Sequence, residues 1–173
     1  KFIFGLLKKG ARAKDFELAL QWLMDAGLVH KVCQVSKPEA PLTFYEESDA
    51  FKLFLLDCGL LGAMNMTDAT EAMLTDNIFE EYNGALTEQL VLQELKCVPN
   101  LPVYYYTKQN SQQEIDFMIE IKNRAIPVEA KAGENLQAKS LKQFIQENKS
   151  EKAMKTSLKP YKSNEVIDNV PLY

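Results

Sequence analysis

Two alternating strands joined by a tight turn constrain this chain more than any other stretch. In Glu114-Ile-Asp-Phe-Met-Ile-Glu-Ile, polar and apolar positions alternate, Lys122-Asn-Arg reads as a turn, and Ala125-Ile-Pro-Val-Glu-Ala-Lys-Ala reads as a second strand. Alternation predicts Glu114, Asp116 and Met118 on one face and Ile115, Phe117 and Ile119 on the other. Glu129 and Lys131, two apart, then share a face, with Val128 and Ala130 packed opposite. Asp116 and Glu129 lie 13 residues apart around the turn, so a hairpin brings both carboxylates within reach of one divalent cation. Two such oxygens, with water and a phosphate, make the octahedral oxygen shell that Mg²⁺, or Mn²⁺ in its place, takes. Lys131 would orient the attacking water or help deprotonate it, and would stabilise negative charge on phosphorus. Glu88, in Asn83-Gly-Ala-Leu-Thr-Glu-Gln-Leu, is placed to complete the site from a flanking helix. The simpler alternative is that Glu129 and Lys131 form an ordinary same-face pair while Asp116 caps a turn.

The remaining pattern surrounds the hairpin with helices and further strands. Ala11 to Ala26 carries apolar residues at Phe16, Ala19, Leu20, Leu23 and Met24, the spacing of an amphipathic helix with one buried face, and Gly27 stops it. Leu28 to Val35 alternates as a strand, Ser36-Lys-Pro-Glu-Ala-Pro interrupts it, and Leu42–Tyr45 reads as extended again. Helix, hairpin and proline-bearing tip together predict a winged helix. Phe51 to Leu56 reads as a buried strand stopping at Asp57 before a helical turn. Residues 63–75, with Met64, Met66 and Met73 as expected core filling, read as a connector. A long helix over Asp76–Cys97 follows, capped by Asp76 or Asn77, then a strand at Val103–Thr107. A helix over Asn135–Asn148 has Leu141, Phe144 and Ile145 inward, and a closing strand lies near Val166–Leu172. This order predicts an α/β sandwich around a mixed sheet.

Charge is distributed unevenly. Residues 68–120 carry 2 basic against 10 acidic side chains, and residues 121–162 carry 10 basic against 4 acidic. Carboxylates that hold metal would therefore sit beside lysines that meet phosphate, or the two blocks simply solvate opposite faces. Lys139 and Lys142, about one helical turn apart, with Gln143 beside them, are the expected nucleic-acid face. The three cysteines are widely spaced without CxxC, and the one histidine, His30, has no nucleophile pattern near it, so zinc, disulfide and Ser-His-Asp chemistry are not indicated. No apolar run approaches a membrane span and no signal peptide opens the chain, so a cytoplasmic location is expected. None of the seven glycines falls in a GxxxxGK[ST] or GxGxxG window, so no nucleotide site is expected within the chain. The opening Lys1-Phe-Ile-Phe-Gly-Leu-Leu reads as an element already under way, as in a fragment of a longer protein.

Glu88, Glu114-Ile-Asp116-Phe and Val128-Glu129-Ala-Lys131 resemble the core of the PD-(D/E)XK, or restriction-endonuclease-like, superfamily, except that Ile115 stands where a proline precedes the acid. More narrowly, Phe51-Lys-Leu-Phe-Leu-Leu-Asp-Cys-Gly-Leu-Leu, the Asn83–Leu95 helix, Val128-Glu-Ala-Lys-Ala-Gly, Ser140-Leu-Lys-Gln-Phe and Val170-Pro-Leu-Tyr resemble the uncharacterised C-terminal domain of bacterial and archaeal AAA+-type ATP-binding proteins. The resemblance implies a winged-helix-like segment over residues 1–65, a restriction-endonuclease-like domain over 66–173, and a P-loop ATPase module N-terminal to both as partner. It also implies Mg²⁺-dependent cleavage of DNA, with Glu88, Asp116, Glu129 and Lys131 as site residues. Two other roles stay open: a non-catalytic DNA- or protein-binding module that keeps the fold, and a surface for assembling ATPase subunits.

Overall fold

In chain order the computed structural model runs from helix α1 (Ala13–Asp25) to strand β1 (Val29–Val35), a 3-10 turn (Leu42–Tyr45), strand β2 (Glu46–Leu55) and helix α2 (Cys58–Met64). Helix α3 (Glu80–Lys96), strands β3 (Val103–Thr107), β4 (Glu114–Ile121) and β5 (Arg124–Glu129), helix α4 (Lys139–Asn148) and strands β6 (Ala153–Ser157), β7 (Lys162–Ser163) and β8 (Ile167–Pro171) follow. The structure describes residues 13–65, 80–108, 113–131 and 139–173. The expected cap at Asp76 and Asn77, most of the 63–75 connector and the start of the Asn135–Asn148 helix lie outside them.

Among the described residues eight strands form one mixed sheet in the order β2-β1-β3-β4-β5-β6-β8-β7. The strand β1 pairs antiparallel with β2 and parallel with β3, so the hairpin of the first 65 residues is continuous with the strands that follow. The strands β3, β4 and β5 are an antiparallel meander, and β6 and β8 add in parallel. Between β4 and β5, Lys122 and Asn123 both have positive φ, 51° and 61°, as a two-residue turn matched to strand twist requires.

Helix α3 covers one face of the sheet, where Val91 and Leu92 meet Phe117, Ile119 and Val128. Helix α4 covers the other, where Leu141 and Phe144 meet Ile115, Met118 and Ala153. Each fully buried side chain of this size contributes about 1.5–3 kcal/mol. Buried Gln89 of α3 clamps the end of β2: its amide oxygen accepts from Leu55 N–H at 3.0 Å and its amide nitrogen donates to Leu55 carbonyl at 2.8 Å. Gln93, one turn on, accepts from Cys58 N–H at 3.3 Å. Strand β2 stops before Asp57 as expected, and Asp57 also caps α2, accepting from Leu60 N–H at 2.7 Å.

Four expectations change. Leu42–Tyr45 is a 3-10 turn and not a strand: Leu42 drops fully buried into the α4-side core while its N–H donates to Glu120 Oε2 at 2.9 Å. Strand β2 is longer than either extended segment read from the sequence and runs through Phe51. The apolar stripe of α1 is only partly covered among the described residues: Phe16, Leu20 and Met24 are half-buried, whereas Ala19 and Leu23 stay exposed, Leu23 at 43%. Met64, at 65% exposure, fills no core.

Candidate functional site

The alternation of β4 breaks where the chemistry was expected. Tyr104 is opposite Met118 and Tyr106 opposite Ile115, so two steps on β3 span three on β4, a bulge at Asp116–Phe117. In consequence Ile115 joins Met118 in the core under α4, while Phe117 and Ile119 lie under α3. The expected grouping of Ile115 with Phe117 is therefore wrong, because an extra residue shifts the pleat. The β4–β5 ladder pairs Phe117 with Val128, and beyond it Asp116 Oδ2 accepts from Ala130 N–H at 2.8 Å. A carboxylate thus takes the place of a ladder carbonyl.

Strand β5 ends at Glu129, so Lys131 follows the strand instead of lying in it. Lys131 Nζ pairs with Glu129 Oε1 at 2.7 Å. Glu129 is buried, and its other oxygen, Oε2, has no hydrogen-bond partner. Leaving a buried charged oxygen unmet costs several kcal/mol on general grounds.

A lysine that carried no role in the sequence completes the arrangement. Lys52 of β2, with its side chain 12% exposed, lies 3.3 Å from Glu88 Oε2 of α3, pairs with Glu114 Oε1 of β4, and sits 5.3 Å from the centre of the Tyr105 ring. Its signal was present in Phe51-Lys-Leu-Phe-Leu-Leu, where a single charge interrupts an otherwise apolar strand. Its partners, 36 and 62 residues away, were not legible there.

Electrostatically these groups act as one set. Burial, then the negative charges of Glu129 and Glu88, push the Asp116 carboxyl up to about 7, against the opposing Ala130 N–H and Lys52. Burial also raises the Glu129 carboxyl, outweighing the Lys131 hydrogen bond and charge. For Lys131, burial favours the neutral amine, but the hydrogen bond it donates to Glu129 and the charges of Glu129, Asp116 and Glu88 together raise its pKa. Lys52 is raised in the same way, with Glu88, Glu114 and Asp116 overcoming burial. Four carboxylates face two ammonium groups, leaving two excess negative charges when all are ionised.

A divalent cation would offset the part of the Asp116 shift that comes from Glu129 and Glu88, and would give Glu129 Oε2 a partner. Among the described residues no group of three His, Cys, Asp or Glu side chains is arranged to hold a metal ion; Asp116 and Glu129 remain the pair expected from the sequence as ligands. The raised Lys131 pKa keeps that lysine charged, which suits it to neutralising an anion and not to removing a proton.

The expected basic residues divide. Lys142 of α4 is exposed and acts electrostatically on Lys155 of β6, whereas Gln143 donates to Glu147 Oε1 at 2.9 Å and Lys139 lies exposed at the start of α4. The cysteines are free, and no helix among the described residues is long and apolar enough to cross a membrane.

No curated protein and no solved structure matches the chain. Residues 1–71 match a family described as a domain of unknown function, DUF8612. Residues 83–173, more than half the chain and the part that carries Glu88, Asp116, Glu129 and Lys131, match the domain of unknown function DUF4143, and the chain belongs to that family.

Proposed function

We propose that the chain is a restriction-endonuclease-like module for metal-dependent hydrolysis of phosphodiesters in nucleic acid, with Asp116 and Glu129 as cation ligands. The observation that carries this is the buried, unpartnered Glu129 Oε2 within a set of carboxylates whose charge exceeds that of its lysines. When bound, the cation supplies Lewis-acid polarisation of the phosphoryl oxygen and a more acidic water. In the hydrolysis a water oxygen adds to phosphorus, the P–O ester bond breaks, and a phosphomonoester and a hydroxyl are released. The charged Lys131, fixed against Glu129 at 2.7 Å, faces the negative charge that grows on phosphorus. Lys52 holds Glu88 and Glu114 in place, which makes both of them positioning groups. Residues 1–65 would act as a winged-helix-like segment that contributes Lys52, residues 66–173 as the nuclease-like domain, and a P-loop ATPase module would be the cytoplasmic partner.

The lack of a three-carboxylate group among the described residues favours a second reading, a non-catalytic nucleic-acid- or protein-binding module on the same fold. Cleavage of labelled single- and double-stranded DNA and RNA in Mg²⁺ and Mn²⁺ separates the two. On the hydrolytic reading the wild-type chain cuts, while Asp116→Asn and Glu129→Gln do not. No cleavage of any substrate, with and without an ATPase partner and ATP, leaves the binding module.

A further inference from the structure

Beyond the carboxylates, β6, β7, β8 and the loop after β6 enclose a cleft of about 310 Å³ whose lining includes Lys155, Lys159, Tyr161, Lys162 and Asn169. One cross-strand row of Cα partners connects it to the candidate site: Glu129 is beside Lys155, Lys155 beside Asn169, and Asn169 beside Lys162. At about 4.8 Å per strand, the cleft occupies the interval roughly 5–15 Å from Glu129. That interval spans the next phosphates of a strand whose scissile group sits at Glu129.

The cleft is built and not merely lined by surface chains. Buried Ser157 donates to Asn169 Oδ1 at 2.7 Å, and buried Asn169 donates to the carbonyls of Lys159 and Pro160 at 3.1 and 3.0 Å. These bonds hold the loop that presents Lys159 and Tyr161. Tyr161 is 63% exposed beside the lysines. Among the described residues none of Lys142, Lys155, Lys159 and Lys162 makes an ion pair, and Asp168 is turned away to Ser163 and Lys152. Burial first, then repulsion from Lys142, Lys159 and Lys162, lowers the Lys155 pKa, so the cluster gains from a bound anion.

We propose that this cleft binds the backbone of a single nucleic-acid strand, with Lys155, Lys159 and Lys162 on phosphates and Tyr161 stacked on a base. A ring standing among cations in a concave cleft suits an unpaired base, whereas a duplex keeps its bases stacked away from such a cleft. This rests on the phosphodiester reading of the Asp116–Glu129 site but has its own test.

Binding of labelled oligo-dT, oligo-U and a blunt duplex is measured by anisotropy in EDTA, so that no cleavage enters. The wild-type chain binds a single strand more tightly than the duplex. Lys155→Ala/Lys159→Ala/Lys162→Ala weakens single-strand binding tenfold or more and reduces the slope of log affinity against log salt by about 2, at about 0.7 per phosphate. Tyr161→Ala weakens it about fivefold or more and leaves that slope unchanged. Circular dichroism melts confirm that each variant is folded, and an unaltered or higher midpoint is expected because the lysines repel one another. The proposal is overturned if the triple variant binds like wild type, if the duplex is preferred, or if the lysines matter only for vesicles of anionic lipid. Strand binding with these slopes and no cleavage keeps the cleft and removes the hydrolytic reading; cleavage with lysine-independent binding does the reverse.

Discussion

Replacing Asp116 by Asn should stabilise the metal-free protein, and increasingly so as pH rises. The folded state holds the Asp116 proton up to about pH 7, while the unfolded chain releases it near 3.8. Below 3.8 both states are protonated and the residue is neutral to stability. Between the two values the unfolded state alone has lost its proton, so stability falls by about 1.36 kcal/mol per pH unit, and above 7 the loss is constant. From pH 5 to pH 8 the wild type therefore loses on the order of 3 kcal/mol through this group. Asparagine keeps the volume and an oxygen for Ala130 N–H but carries no charge. Urea unfolding in EDTA, followed by circular dichroism at pH 5 and pH 8, should show the Asn variant gaining about 3 kcal/mol more over wild type at pH 8 than at pH 5. An equal gain at both values, or a loss at pH 8, would refute the account of Asp116 as a carboxyl held against its charge.

Lys52→Met should destabilise the fold by about 1–2 kcal/mol, because Glu88 and Glu114 lose their cation but keep side-chain exposures of 30% and 43%, and should move the Asp116 midpoint still higher in a carboxylate NMR titration. Gln89→Ala removes both hydrogen bonds to Leu55 and leaves a cavity, so a loss of about 3 kcal/mol is expected in urea unfolding. Gly27 has φ +70° and open space around it, so Gly27→Ala should cost only the left-handed backbone strain, about 1 kcal/mol in the same assay.

The local features of this fold were legible because their causes are local. Gly27 ends α1 with its N–H on the Met24 carbonyl and Leu28 N–H on that of Leu23, the left-handed stop that a glycine after an apolar period announces. The turn at Lys122–Asn123 and the strands beside it follow from period-two patterning over short separations. What stayed hidden depends on distant contacts. The bulge at Asp116–Phe117 is set by register against β3, which no pattern within β4 encodes. Strand β6, Ala-Met-Lys-Thr-Ser, has little apolar alternation and is made a strand by its neighbours β5 and β8. The Leu42–Tyr45 segment looks extended by residue type, yet its leucine is drawn into the core. Of the candidate site, the acidic residues and Lys131 could be named from spacing, whereas Lys52 and the lysine cleft required the sheet order.

Everything proposed for catalysis depends on whether Asp116 and Glu129 hold a divalent cation. Titration of the purified chain with Mn²⁺, followed by loss of the free-ion electron paramagnetic resonance signal, measures this directly. One bound Mn²⁺ per chain is predicted, lost in Asp116→Asn and in Glu129→Gln and kept in Lys131→Ala. Absence of binding, or binding that survives both carboxylate substitutions, would contradict the account.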